Sequence, residues 1–263
     1  MNVPLKVQSK LKSSRDKGVV LEYLPYILGG AVVSMIGSMS GIGGGVFMVP
    51  LFYHIGLHIE KAVGTSLFII VFNGVSASIS YWRRGLLKPG GWLTLAILMI
   101  PSGMVGAQIA SIAPRTIIKT VVSSIVIVYG LNLILRGSGR ALGVKLNNKI
   151  LVPVAGVTAG LVAGLSGIGG GAILMPVLIS VLGLPVHEAV AASMLSIVIT
   201  STSGSVVHIA NGNVVFNIAI PFALGAIIGA QIGSTIASRM RSKTLTIVVG
   251  LVLVTVGVLT LLR

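Results

Sequence analysis

The sequence predicts an all-α, polytopic membrane protein of two homologous repeats. Each repeat has four long helices plus one short broken or re-entrant helix, giving eight to ten membrane segments in all. Scarce charge, recurrent apolar runs and a duplicated glycine motif predict it. Charged residues make up 9% of 263 and hydrophobic ones 54%, with a mean hydropathy of +1.05. A soluble domain carries about 25% charged residues, so this chain cannot cover an ordinary water-facing surface. Apolar runs of about 20 residues, the length a helix needs to cross hydrocarbon, recur along it. Its 35 glycines fit the close backbone approach that drives helix association in lipid.

The chain divides into a basic leader (1–18), taken as cytoplasmic, repeat 1 (19–136), a basic linker (137–149) and repeat 2 (150–263). The leader holds Lys6, Lys10, Lys12, Arg15 and Lys17. With no small-residue cleavage site before a soluble domain, it reads as leading into a retained first helix rather than as a signal peptide. Long runs in repeat 1 cover about Val19–Met39, Ala62–Trp82, Gly91–Ser111 and Thr116–Leu135. Repeat 2 has them at about Ile150–Leu165, Ala189–Ile209, Val214–Ala237 and Thr244–Leu262. The short apolar pieces Val46–Gly56 and Ala172–Gly183 lie between the first and second long runs.

The duplication is explicit in the residues. Ser40-Gly41-Ile42-Gly43-Gly44-Gly45 returns as Ser166-Gly167-Ile168-Gly169-Gly170-Gly171, 126 positions on (40 to 166). Each copy is followed by four apolar residues and a proline, Pro50 or Pro176. Ala62-Val63 with Ser66 returns as Ala189-Val190 with Ser193, and Gly106-Ala107-Gln108-Ile109 as Gly229-Ala230-Gln231-Ile232.

Two topologies satisfy this pattern. If the short pieces re-enter, each repeat crosses four times, and the leader shares a side with the Arg83–Lys88 and Arg136–Lys149 clusters, as the positive-inside rule prefers. If they cross, each repeat has five spans and the copies are inverted, a common transporter plan. The charges tip the expectation to the first.

Three successive glycines are costly in a helix, at about 1 kcal/mol each relative to Ala, and they permit non-helical backbone. Such backbone persists at membrane depth only when buried in protein or lining a cavity. The helices that start after each break present free N–H groups and positive dipole ends, which suit an anion. Gly43, Gly44 and Gly45 with Gly169, Gly170 and Gly171 are therefore the candidate binding backbone. The bland alternative, tight packing alone, is weakened by the matched pair of motifs.

Ser66, Asn73, Ser76 and Ser80 fall near one helical face, mirrored by Ser193, Thr200 and Ser203. Gln108 and Gln231 sit mid-span. Ser66, Ser193, Gln108 and Gln231 are candidate path-lining residues, with interhelical glue the competing role. The only acids are Asp16, Glu60 and Glu188, which lie before or between the long runs, and Glu22 at the start of the first run, leaving no mid-span carboxylate to relay protons or bind sodium. We expect no cofactor, metal site or catalytic residue. Nucleic acid is not an expected partner, because the basic clusters lack interleaved aromatics; lipid and a small anion are. An intramembrane serine protease is conceivable from Gly164-Leu165-Ser166-Gly167 with His208, but the repeat explains that serine without catalysis, as Ser40. An anion channel is the nearer rival to a carrier.

On the paired glycine motifs with Pro50 and Pro176, and on Ala62-Val63-Gly64-Thr65-Ser66 with its weaker partner Ala189-Val190-Ala191-Ala192-Ser193, the chain resembles the sulfite exporter TauE/SafE family. The resemblance covers nearly everything after the leader. It implies transport, with export the expected direction, of a small sulfur-containing anion, such as sulfite or an organosulfonate, across a bacterial or archaeal cytoplasmic membrane.

Overall fold

The computed structural model describes residues 5–90, 92–109, 124, 127, 128, 130–135, 151–166, 170–180 and 182–261; the side chains of 5–22, 107–109, 151, 152, 155, 162–166, 260 and 261 are excluded. The described residues are helical, with no strand among them. The helices are α1 (Leu5–Ser40), α2 (Gly45–His54), α3 (Ile59–Arg83), α4 (Trp92–Ile109), α5 (Leu151–Ser166), α6 (Gly171–Ser180), α7 (Val186–Ala210), α8 (Phe216–Arg239) and α9 (Ser242–Leu261). Residues 130–135 are helical too. Five helices contain stretches long and apolar enough to cross a membrane: Tyr23–Ser40, Ile59–Arg83, Val186–Ala210, Phe216–Arg239 and Ser242–Leu259. Helix α1 begins inside the stretch assigned to the leader, and most of the expected run Thr116–Leu135 lies outside the described residues.

Glycine sets the closest helix contacts, and their register fixes helix direction. Along α8, Gly225, Gly229 and Gly233 recur every four residues and press on the backbone carbonyls of Ile27, Ala31 and Met35 of α1, so the two helices run parallel. Each meets a carbonyl where a Cβ would stand, so only glycine permits this approach. Helices α4 and α5 are parallel as well, Gly156 lying against Leu95 and Gly160 against Met99 and Ser102. Helix α3 runs parallel to α8. The Val215 amide donates to Thr65 Oγ1 (3.1 Å) at one end, Ser76 Oγ to the Ile227 carbonyl (2.8 Å) midway, and Arg84 to Thr235 Oγ1 (2.6 Å) at the other. By contrast α3 and α7 are antiparallel: Gly64 meets His208, Gly204 meets Leu67, and Gly74 meets Met194 and Val198.

These directions correct the four-crossing expectation. Since α1 and α3 both run with α8, the chain must return between them, and α2 carries it back. Gly44 at its start lies against Val33 and near Gly37 of α1. Phe52 near its end stacks edge-on against Phe222 (5.1 Å), whose ring also meets Gly29. The end of α3 at Arg83 therefore lies opposite the end from which α1 begins, so the leader and the Arg83–Lys88 cluster do not share a side. Loop charge favoured re-entry because that topology gathers the basic clusters on one side, but of those clusters Arg136–Lys149 lies outside the described residues. The two glycines at Gly37 and Gly44 instead let α2 fold back along α1.

Candidate functional site

The first break is an ordered turn. The amides of Ile42 and Gly43 both donate to the Gly37 carbonyl (3.1 Å each). Gly41, Gly43 and Gly44 adopt φ of +73°, +87° and +80°, a left-handed run that only glycine tolerates comfortably. Gly44 caps α2 without any side-chain bond, and its carbonyl accepts from the Phe47 and Met48 amides. Helix α6 starts the same way: Gly170 has φ +78°, and its carbonyl accepts from the Ile173 and Leu174 amides. Gly169 lies outside the described residues.

The two breaks touch. A methyl group on Gly171 would lie 2.7 Å from the Gly41 carbonyl oxygen and 2.8 Å from Ile42 Cα, and one on Gly41 would lie 2.8 Å from Met175 Sδ. Gly43 faces Ile197 of α7 and Ile70 of α3, and Ile42 is fully buried. In this conformation the start of α6 at Gly171 packs against Gly41 and Ile42 of the first break and against Ile197, in a closely packed, largely apolar centre.

Polar side chains tether this centre from both long helices. Asn73 Nδ2 of α3 donates to the Gly43 carbonyl (2.7 Å), and Ser193 Oγ of α7 to the Gly41 carbonyl (2.5 Å). Ser193 thus holds the break, whereas Ser66, its match in α3, is buried with no hydrogen-bond partner among the described residues. The Asn73 Oδ1 atom is likewise buried without a donor. Gln231 Nε2 donates to the Ser76 carbonyl (2.7 Å) and to Ser76 Oγ (3.0 Å), so here it ties α8 to α3. The side chain of Gln108 lies outside the described residues, as does that of Ser166. His208, considered as a base for that serine, has a buried Nδ1 with no partner among the described residues.

Sequence reasoning missed three contributors. Asn73 was placed on the polar face but not aimed at Gly43. Gly37, four residues before Gly41, receives the turn. The four-residue step from Ser76 to Ser80 continues to Arg84, which binds Thr235 of α8. The α3 spacing was visible in the sequence, but the neighbouring helix was not.

A bundle whose long helices pack through backbone-to-backbone glycine contacts, with a doubly broken centre, defines a polytopic membrane protein. Residues 26–260 match the sulfite exporter TauE/SafE family, and the chain belongs to that family of membrane transporters. It is 27% identical over 265 residues to the probable membrane transporter protein YunE of Bacillus subtilis, covering 90% of this chain and 96% of that one. It is also 29% identical over 213 residues to a probable membrane transporter of Methanocaldococcus jannaschii, covering 75% and 78% of the two chains. A sulfite exporter TauE/SafE family protein of Arabidopsis thaliana is 27% identical over 115 residues, covering 43% and 25%. No solved structure matches.

Proposed function

We propose that this transporter exports a small sulfur-containing anion, such as sulfite or an organosulfonate, through a site between the two glycine breaks. The observation that carries the reading is the contact of Gly171, the first residue of α6, with Gly41 and Ile42 of the other break, which brings the two glycine motifs together. Backbone N–H groups there bind an anion without buried charge. The antiparallel run of α3 and α7, the helices carrying the matched Ala-Val and Ser, supports inverted repeats that rearrange alternately about that site. In such a cycle the centre opens to admit the anion between Gly43–Gly45 and Gly169–Gly171. Ser66, Ser193, Gln108 and Gln231 lie along its path, and the hydrogen bonds of Ser193 and Gln231 break and re-form as the halves move. For an anion leaving a cell that is negative inside, the membrane potential supplies about 2.3 kcal/mol per charge per 100 mV, so export needs no coupled ion. Relatives in Bacillus and Methanocaldococcus support a bacterial or archaeal cytoplasmic membrane.

Purified protein in proteoliposomes should move labelled sulfite or a labelled sulfonate with saturable kinetics, and Gly171→Val should abolish that movement. Failure to move any such anion, or retention of the wild-type rate by Gly171→Val, would overturn the reading. Flux that does not saturate would replace the carrier by a channel.

A further inference from the structure

The inner face of α3 continues past the central break to one end of the molecule. Asn73, bonded to Gly43, is followed at steps of three, four and four by Ser76, Ser80 and Arg84. Ser76 and Ser80 are buried. From α8, Gln231 bonds Ser76, and Thr235 Oγ1 donates back to the Gln231 carbonyl (2.6 Å) while accepting from Arg84 Nη2 (2.6 Å). Arg84 Nε reaches Ser80 Oγ at 3.4 Å. Arg84 is solvent-exposed, and the hydrogen bonds of its guanidinium among the described residues go to neutral hydroxyls. The ion pair at this end is made instead by Lys88 and Glu188 (2.7 Å). Of the five N–H donors of a guanidinium, two are engaged, leaving a forked face that suits an oxyanion.

The opposite half lacks this arrangement. Val207 and Asn211 stand where Ser80 and Arg84 do in the first half. The hydroxyls of Thr200 and Ser203 turn back onto their own helix, to the carbonyls of Ser196 and Thr200. Arg83, Arg239, Arg241 and Lys243 lie at or next to the same ends of α3 and α8 as Arg84, adding a positive field that concentrates anions there.

We propose that Arg84, with Ser80 and Thr235, is a peripheral oxyanion-recruiting site that loads the central site from the end of α3 at Arg84 and not from the opposite end; this rests on the anion-transport reading above. The anion exchanges onto the free guanidinium donors and then follows the Ser80–Ser76–Asn73 face towards Gly43. An arginine present only to complement the end of α3 would act as a point charge. It would need neither the bond to Thr235 nor any part in the concentration dependence of transport.

The test is the initial rate of labelled sulfite uptake into proteoliposomes, measured against sulfite concentration at two ionic strengths. Arg84→Gln should raise the half-saturating concentration by about fivefold or more, leave the maximal rate within about twofold, and flatten the salt dependence. Arg84→Lys should restore the salt dependence without restoring the wild-type half-saturation. An unchanged half-saturation in Arg84→Gln, or a lower maximal rate alone, would sink the recruiting role while leaving the transport reading intact. If Arg84→Gln fails to assemble, Thr235→Val is held to the same outcomes on half-saturation and maximal rate. If the wild type moves no sulfite, the transport reading and this site fall together.

Discussion

Helices α3 and α7 are each 25 residues long and carry the matched Ala-Val and Ser of the duplicated sequence, yet their polar side chains act differently. In α3 they reach outward: Asn73 binds Gly43, Ser76 binds Ile227, and Tyr81 Oη donates to the Ser38 carbonyl (2.8 Å). In α7 the hydroxyls of Ser196, Thr200, Thr202 and Ser203 all bond carbonyls of α7 itself, and Ser193 is the one that crosses to a break. A hydroxyl bonded to its own helix is satisfied in any position of that helix, whereas a cross-helix bond fixes one register. Helix α3 is thus pinned along its length to α1, to α8 and to the break, while the side-chain bonds of α7 to other elements lie at its start, through His187 to Met240 and Glu188 to Lys88, and at Ser193. Duplicated sequences can diverge into one anchored and one freer element when only a few polar partners change.

The largest expected effect tests whether the two glycine contacts that join the repeats, α1 with α8 and α4 with α5, depend equally on close backbone approach. Gly229→Leu would drive a side chain into the Ala31 carbonyl, and Gly106→Leu would do the same at the Leu161 carbonyl. Overpacking of this kind costs about 3 kcal/mol or more, so both variants should lose monodisperse protein on size-exclusion chromatography in detergent. Tolerance of one but not the other would show that the α1–α8 and α4–α5 contacts are not equivalent.

Next comes the contrast between the long helices. Asn73→Ala leaves the buried Gly43 carbonyl without its donor and should cost about 1–3 kcal/mol, read as a lower Tm. Thr200→Val removes only a bond within α7 and should cost less than about 0.5 kcal/mol. Equal losses would end the distinction between an anchored and a freer helix. Gln231→Leu, which removes two bonds between α8 and α3, should fall between them at about 1 kcal/mol. The smallest effect belongs to the ion pair joining the halves at the basic end. With Lys88 66% exposed, Glu188→Gln should change Tm by the equivalent of at most about 1 kcal/mol, and raised salt should reproduce it in the wild type.

The sequence alone determined the membrane class, the duplication and, among the described residues, the approximate place of the long helices other than the start of α1. These follow from local quantities: apolar run length, charge scarcity and repeated residues that need no knowledge of neighbours. Observed bounds such as Ile59–Arg83 against the expected Ala62–Trp82 differ by a few polar or capping residues, because helices extend beyond their apolar cores. The central glycines were legible because a left-handed backbone demands glycine whatever surrounds it. Helix direction, the contact of Gly171 with Gly41, the aim of Asn73 and the pairing of Arg84 with Thr235 were decided only by tertiary structure. Each depends on which face of one helix meets another, over separations such as the 151 residues between Arg84 and Thr235. A repeat in sequence reads the same whether its copies run parallel or inverted, because residue order carries no direction in space; which helices run together is set by tertiary contacts such as Gly225 against Ile27 and Gly64 against His208.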